Sequence, residues 1–129
     1  MSSIVGASIH QYRPRLFPGT GGPDEQDETT INVPMNGGDG DAEFLRAFGE
    51  RIVPAVERFD PELVLVSAGF DAHADEEIYR KATRVTEDGF RELAGRCAQF
   101  GPRVGAVLEG GYNLETLPTL VAAALAGFG

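Results

Sequence analysis

Apolar positions along this chain follow two rhythms. The runs Ile4-Val5-Gly6-Ala7-Ser8-Ile9-His10, Leu63-Val64-Leu65-Val66 and Val104-Gly105-Ala106-Val107-Leu108 are short, nearly continuous, and rich in small and β-branched residues. Such runs read as buried parallel strands, because both faces of a parallel strand are covered. Thr29-Thr30-Ile31-Asn32-Val33-Pro34 reads as a fourth strand, closed by a proline that suits an edge. Between 41 and 59, Phe44, Leu45, Phe48, Ile52, Val53, Val56 and Phe59 recur at three and four, the period of an amphipathic helix, with Pro54 predicting a kink or a local split. Thr86-Glu87-Asp88-Gly89 opens a second helix that carries Phe90, Leu93, Ala94, Cys97 and Ala98 on one face and stops at Gly101-Pro102. Residues 114–128 form a third, with Pro118 in its opening turns. The order strand, loop, strand, helix, strand, helix, strand, helix argues an α/β fold, a parallel sheet flanked by helices.

The stretches between these elements are read by their turn chemistry. Residues 11–27 hold Pro14, Pro18, Pro23 and several glycines without either period, and form a long loop anchored by Leu16-Phe17. Its Gly19-Thr20-Gly21-Gly22 run lacks the following Lys-Ser/Thr and the helix that a phosphate loop needs. Asn36-Gly37-Gly38-Asp39-Gly40-Asp41 is a turn whose carboxylates do not keep calcium-loop spacing, and Asp41 is expected to cap the helix that follows. Ala74-Asp75-Glu76-Glu77 is expected to be an exposed acidic run.

Size and charge narrow the function classes. The 129 residues, 42% hydrophobic, suffice for one globular domain. A formal charge of −9 opposes unaided attraction to nucleic acid or to an anionic membrane. The lone Cys97 excludes an intrachain disulfide and a multi-cysteine zinc site, and fits a reducing compartment. No run approaches the length of a membrane span, and the amino terminus lacks the layout of a signal peptide, so the expected place is the cytoplasm. A core strand this close to the first residue suggests that upstream structure is missing.

Two strand ends carry candidate chemistry. Ser67-Ala68-Gly69-Phe70-Asp71-Ala72-His73 follows the Leu63–Val66 run and Glu109-Gly110-Gly111-Tyr112-Asn113 follows the Val104–Leu108 run, at the carboxyl edge where α/β proteins place ligands. Asp71 is a candidate metal ligand or acid–base group, against the commoner role of closing a turn through its own backbone. A phenol at Tyr112, after two glycines, could donate to a developing oxyanion, or simply pack beneath the last helix. His10 and His73 are expected to make structural hydrogen bonds.

Taken together, Ser8-Ile9-His10-Gln11-Tyr12, Phe17-Pro18-Gly19-Thr20-Gly21, Asn32-Val33-Pro34, the Asp71 motif and Leu108-Glu109-Gly110-Gly111-Tyr112-Asn113 resemble the zinc-dependent histone deacetylase superfamily. That superfamily includes the acetoin-utilisation and acetylpolyamine deacetylases. The resemblance covers essentially the whole chain and implies an arginase-like fold that hydrolyses an acetylated amine with zinc-activated water. By this likeness Asp71 is a zinc ligand and Tyr112 polarises the acetyl carbonyl. Phe17 and Ile78 line the substrate tunnel, and Gly110 and Gly111 form its floor. Ser8 and Ile9 hold a monovalent cation such as K+. Family members also carry a tandem histidine pair and an Asp-x-His upstream. This chain has only His10 and His73, so residues 1–129 are expected to be the carboxy-terminal segment of the catalytic domain, inactive alone and prone to self-association or to binding a complementing chain. The alternative is a non-catalytic assembly domain that retains the fold. A nucleotide-binding α/β domain is disfavoured by the absence of the Gly-rich strand-to-helix turn.

Overall fold

The computed structural model describes residues 4–12, 19–76 and 82–129. The Leu16-Phe17 anchor and residues 77–81 lie outside them. Strands β1 (Gly6–Gln11) and β2 (Thr30–Met35) pair in parallel, with Gly6 opposite Thr30 and Gln11 opposite Met35. Strands β3 (Val64–Ala68) and β4 (Val104–Leu108) form a second parallel pair, with Val64 opposite Val104 and Ala68 opposite Leu108. The expected single sheet is therefore present as two pairs that share no hydrogen bond among the described residues.

The helices join the two pairs. Helix α1 (Asp41–Ala47) runs through a π-helical turn, Phe48–Ile52, into α2 (Val53–Phe59). The widened turn is the local answer to Pro54. A proline cannot donate to the residue four back, and the Val53 N–H reaches Phe48 O, five residues back, just before it. Left-handed Asp60, at φ 53°, ends α2. Helices α3 (Glu87–Cys97) and α4 (Leu117–Phe128) pack on each other. Phe44, Phe48 and Ile52 meet Val33 and Met35 of β2, Phe90, Ala94 and Cys97 of α3, and Leu120 and Ala124 of α4 in one core. Val66 and Ala68 of β3 and Ile9 and Ile31 of the first pair pack against it.

Two local expectations change. Gly40, not Asp41, stands at the amino-terminal cap of α1, and the Glu43 carboxylate accepts its N–H at 2.9 Å. Asp41 instead reaches α3, where it accepts from the Thr86 backbone at 2.7 Å and from the Thr86 hydroxyl. Thr86 in turn caps α3 through the Gly89 N–H. The last helix begins at Leu117 rather than 114, because Asn113 takes up the Glu115 N–H and holds residues 113–116 as a turn, leaving Pro118 in the first helical turn where its missing donor is harmless. Among the described residues no helix is long and apolar enough to cross a membrane.

Candidate active site

Strands β3 and β4 end side by side, and the loops that leave them are tied together. Glu109 donates its N–H to Ala68 O at 3.0 Å, and Phe70 donates to Gly110 O at 2.9 Å. This continues the pairing past the strands and delivers Asp71 beside Gly110. The fit needs glycine: a Cβ on Gly110 would lie 2.9 Å from Asp71 Oδ2, and one on Gly111, whose φ is +124°, would lie 3.1 Å from the Phe70 Cβ. Phe70 is buried against the Phe90 ring at 5.0 Å and fixes the backbone from which Asp71 projects.

Asp71 is partly buried, and no other residue among those described donates a hydrogen bond to its carboxylate. Burial raises its pKa above the ordinary 3.8; the bond to its own backbone N–H opposes this, and the nearby Glu76 charge adds to it. Tyr112 is 57% exposed and lines the cleft, so it is not packed beneath α4. Asp71, Gly110, Tyr112, Ser8, Ile9 and His10 all line one open cleft of about 790 Å³. The sequence-predicted residues that fall within the described chain are thus brought together, except that Gly111 sits behind Gly110 against Phe70 and Leu117. Phe17 and Ile78 lie outside the described residues.

The two histidines have structural partners. His10 Nε2 donates to Gly21 O at 2.7 Å, which leaves Nδ1 to accept from the Ser8 hydroxyl at 2.8 Å. His73 is buried, and its Nδ1 accepts the Asp75 N–H at 3.1 Å.

Glu76 corrects the expectation of an exposed acidic run. Its side chain is 8% exposed, and Oε2 accepts the Tyr112 N–H at 3.1 Å. Asn113 Nδ2 donates to Asp75 O at 2.8 Å in the same seam. Glu76 therefore locks the backbone under Tyr112 to the loop after β3. Hydropathy could not reveal this, since a carboxylate turned inward reads like one turned outward.

The histone deacetylase domain, as a sequence family, matches residues 1–128. The chain belongs to the histone deacetylase family. It is 40% identical to the histone deacetylase 10, chloroplastic, of Oryza sativa subsp. japonica, over 92% of this chain but 28% of that protein. It is 35% identical to a probable deacetylase of Archaeoglobus fulgidus, over 97% of this chain and 38% of the relative. The crystal structure of an acetylpolyamine aminohydrolase from Burkholderia pseudomallei superimposes with a TM-score of 0.84 at 30% identity, covering 97% of this chain and 37% of that one. The chain thus spans between about a quarter and two-fifths of these relatives.

Deacetylases of this family are generally zinc-dependent. A catalytic zinc takes three protein ligands and an open position. Among the described residues no group of three or more His, Cys, Asp or Glu side chains is placed to hold a metal ion. Asp71 and His10 line the same cleft, but both histidines are engaged in hydrogen bonds with other groups. Among the described residues the side chains do not fit a complete zinc site.

Proposed function

We propose that residues 1–129 are the carboxy-terminal segment of a deacetylase-like amidohydrolase domain, which supplies one wall of the site and leaves the rest to another segment. The convergence of the partly buried Asp71 carboxylate and the exposed Tyr112 phenol on one cleft, with Gly110 between, supports this reading. The substrate class is an acetylated amine, acetyl-lysine or an acetylpolyamine, by analogy with the names of the relatives. Tyr112 has the chemistry to donate a hydrogen bond to the carbonyl oxygen as negative charge develops there. Asp71 is one anionic donor of the zinc site that the assembled domain would hold, and Ser8 and Ile9 belong to its K+ site. Phe17 and Ile78 are assigned to the tunnel. The buried Cys97 thiol suits a reducing place such as the cytoplasm.

The chain alone is inactive on this reading, because one carboxylate holds zinc weakly in water and no free histidine base faces the cleft. Elemental analysis after incubation with Zn²⁺ tests it. Well under one zinc per chain, together with no release of acetate from an acetyl-lysine peptide or acetylspermidine, is expected. Stoichiometric zinc on the monomer, lost in Asp71→Ala, would refute the incomplete site.

A further inference from the structure

Tyr112 stands one residue beyond the last bond that ties its loop to the neighbouring one, the bond from the Phe70 N–H to Gly110 O. The residue between is Gly111, at φ +124°, which without a side chain restrains the backbone least. The Tyr112 side chain does not anchor itself. It is more than half exposed, and its phenol has no hydrogen-bond partner among the described residues. Whatever aims the phenol therefore acts on the main chain. Glu76 Oε2 accepts the Tyr112 N–H at 3.1 Å, and beside it Asn113 Nδ2 donates to Asp75 O at 2.8 Å.

The other side of this seam is firmly held. His73 donates its N–H to Phe70 O, Ala74 to Val85 O and Glu76 to His73 O, each at 3.1 Å, and Ala72 O accepts the Val85 N–H at 3.0 Å. The Asp75 N–H goes to Nδ1 of the buried His73 ring at 3.1 Å. Each residue from 72 to 76 thus makes at least one backbone hydrogen bond, and Val85, the partner of two of them, is fully buried.

Glu76 is a costly residue with which to close a loop. It is 8% exposed, and Oε1, shut off from solvent, has no hydrogen-bond partner among the described residues. One accepted bond does not offset the desolvation of a buried carboxylate, and a neutral acceptor would take the same N–H with less desolvation. What the carboxylate adds is strength at the Tyr112 amide, because a bond to an ionised acceptor is roughly twice as strong as a neutral one. Glu76 also lies close to Asp71, whose pKa burial raises and the Glu76 charge raises further.

We propose that Glu76 is a positioning residue for Tyr112: its carboxylate clamps the Tyr112 amide to the fixed 72–76 loop and so sets the direction of a phenol that neither packing nor its own hydrogen bonds hold. The proposal rests on the reading of Tyr112 as the donor to a developing oxyanion, a role that needs the hydroxyl in place before the charge appears. Glu76 acts through Tyr112 and touches no substrate.

The test compares the whole chain with Glu76→Gln and Glu76→Met. Hydrogen exchange of the Tyr112 amide, the fluorine resonance of fluorotyrosine at position 112, assigned by its loss in Tyr112→Phe, and the urea midpoint are read together. Methionine is similar in length but offers the amide no comparable acceptor. In Glu76→Met the Tyr112 amide should exchange at least about tenfold faster, the loss expected for a charge-assisted bond. Its fluorine resonance should move toward that of the urea-unfolded chain, while the midpoint holds or rises because a buried charge and an orphan oxygen are gone. Glu76→Gln keeps an acceptor, so the amide should stay within about threefold of the unsubstituted chain, the difference between a charged and a neutral bond. A lower midpoint with every amide exchanging faster in step would mark a residue that serves the fold alone, and would overturn the proposal. An unchanged Tyr112 amide and resonance in Glu76→Met overturns it too. Zinc content of the same samples judges the functional reading separately: stoichiometric zinc on the monomer, lost in Asp71→Ala, refutes the incomplete site, while the Tyr112 readouts decide the clamp.

Discussion

Gly110 and Gly111 differ in what they do, and alanine substitutions separate the two roles. In Gly110→Ala the new Cβ would meet Asp71 Oδ2 at 2.9 Å, Cγ at 3.0 Å and Oδ1 at 3.3 Å. Ordinary contact begins near 3.4 Å, so the carboxylate must withdraw by about half an ångström, and the cleft it lines offers it room. A side-chain rotation of this size costs about 1 kcal/mol. It also returns the carboxylate to water, which removes the burial that raises its pKa. In Gly111→Ala the Cβ would meet Leu117 Cδ1 at 3.0 Å and Phe70 Cβ at 3.1 Å, from a backbone at φ +124°. Both neighbours belong to packed parts of the fold, so strain and overpacking add to roughly 2–4 kcal/mol. Urea denaturation and titration of the Asp71 carboxyl carbon by NMR read the two effects. Gly110→Ala should lower the Asp71 pKa toward 3.8 with a small loss of stability, and Gly111→Ala should cost more stability. An unchanged Asp71 titration in Gly110→Ala, with full stability, would refute the close packing on which the site geometry rests.

Asp71→Asn tests the cost of the site to the fold. Because the folded protein holds the Asp71 proton more tightly than the unfolded chain does, stability falls as pH rises from 3.8 through the folded value. The Asn variant should therefore be the more stable at pH 7 and lose that advantage below pH 3.8; equal urea midpoint differences at pH 3 and pH 7 would contradict it. Thr86→Ala removes the cap on Gly89 and the hydroxyl that donates to Asp41, leaving the backbone N–H bond to Asp41, and should cost about 1–2 kcal/mol in urea denaturation. Burial pushes the Cys97 thiol up to about 11, so a disulfide reagent at pH 8 should modify the native chain on the order of a hundredfold more slowly than the urea-unfolded chain.

The elements of the fold were legible because each had a local cause. Phe44, Phe48 and Ile52 at helical spacing, and Thr86 ahead of Glu87 and Asp88, are signals that act within a few residues of themselves. The meeting of Asp71 and Tyr112 was legible for a related reason: both follow apolar runs by a similar small distance, and paired parallel strands bring equal distances to one edge. What was not legible depends on contacts with no local signature. Asp41 reaches Thr86, 45 residues away, and Glu76 reaches Tyr112, 36 residues away; neither spacing favours those partners over solvent.

The split of the sheet is the instructive difference. The run Leu63-Val64-Leu65-Val66 has the unbroken apolar character of a strand covered on both faces. In the structure Val66 packs on the helices, while Leu65, pointing the opposite way, is 70% exposed. Val107 on β4 is 56% exposed, and Leu63 is 57% exposed. Their composition answers to neighbours that these residues do not have among those described, on the open face as well as at the open edges. Apolar surface of this kind is costly to leave in water, at roughly 25 cal/mol per Å², and unpaired strand edges are sites of adventitious pairing. One cause accounts for both: β1, β3 and β4 carry the sequence pattern of strands covered on both faces, and the cleft lined by Asp71 and Tyr112 lies where the two strand pairs share no hydrogen bond among the described residues.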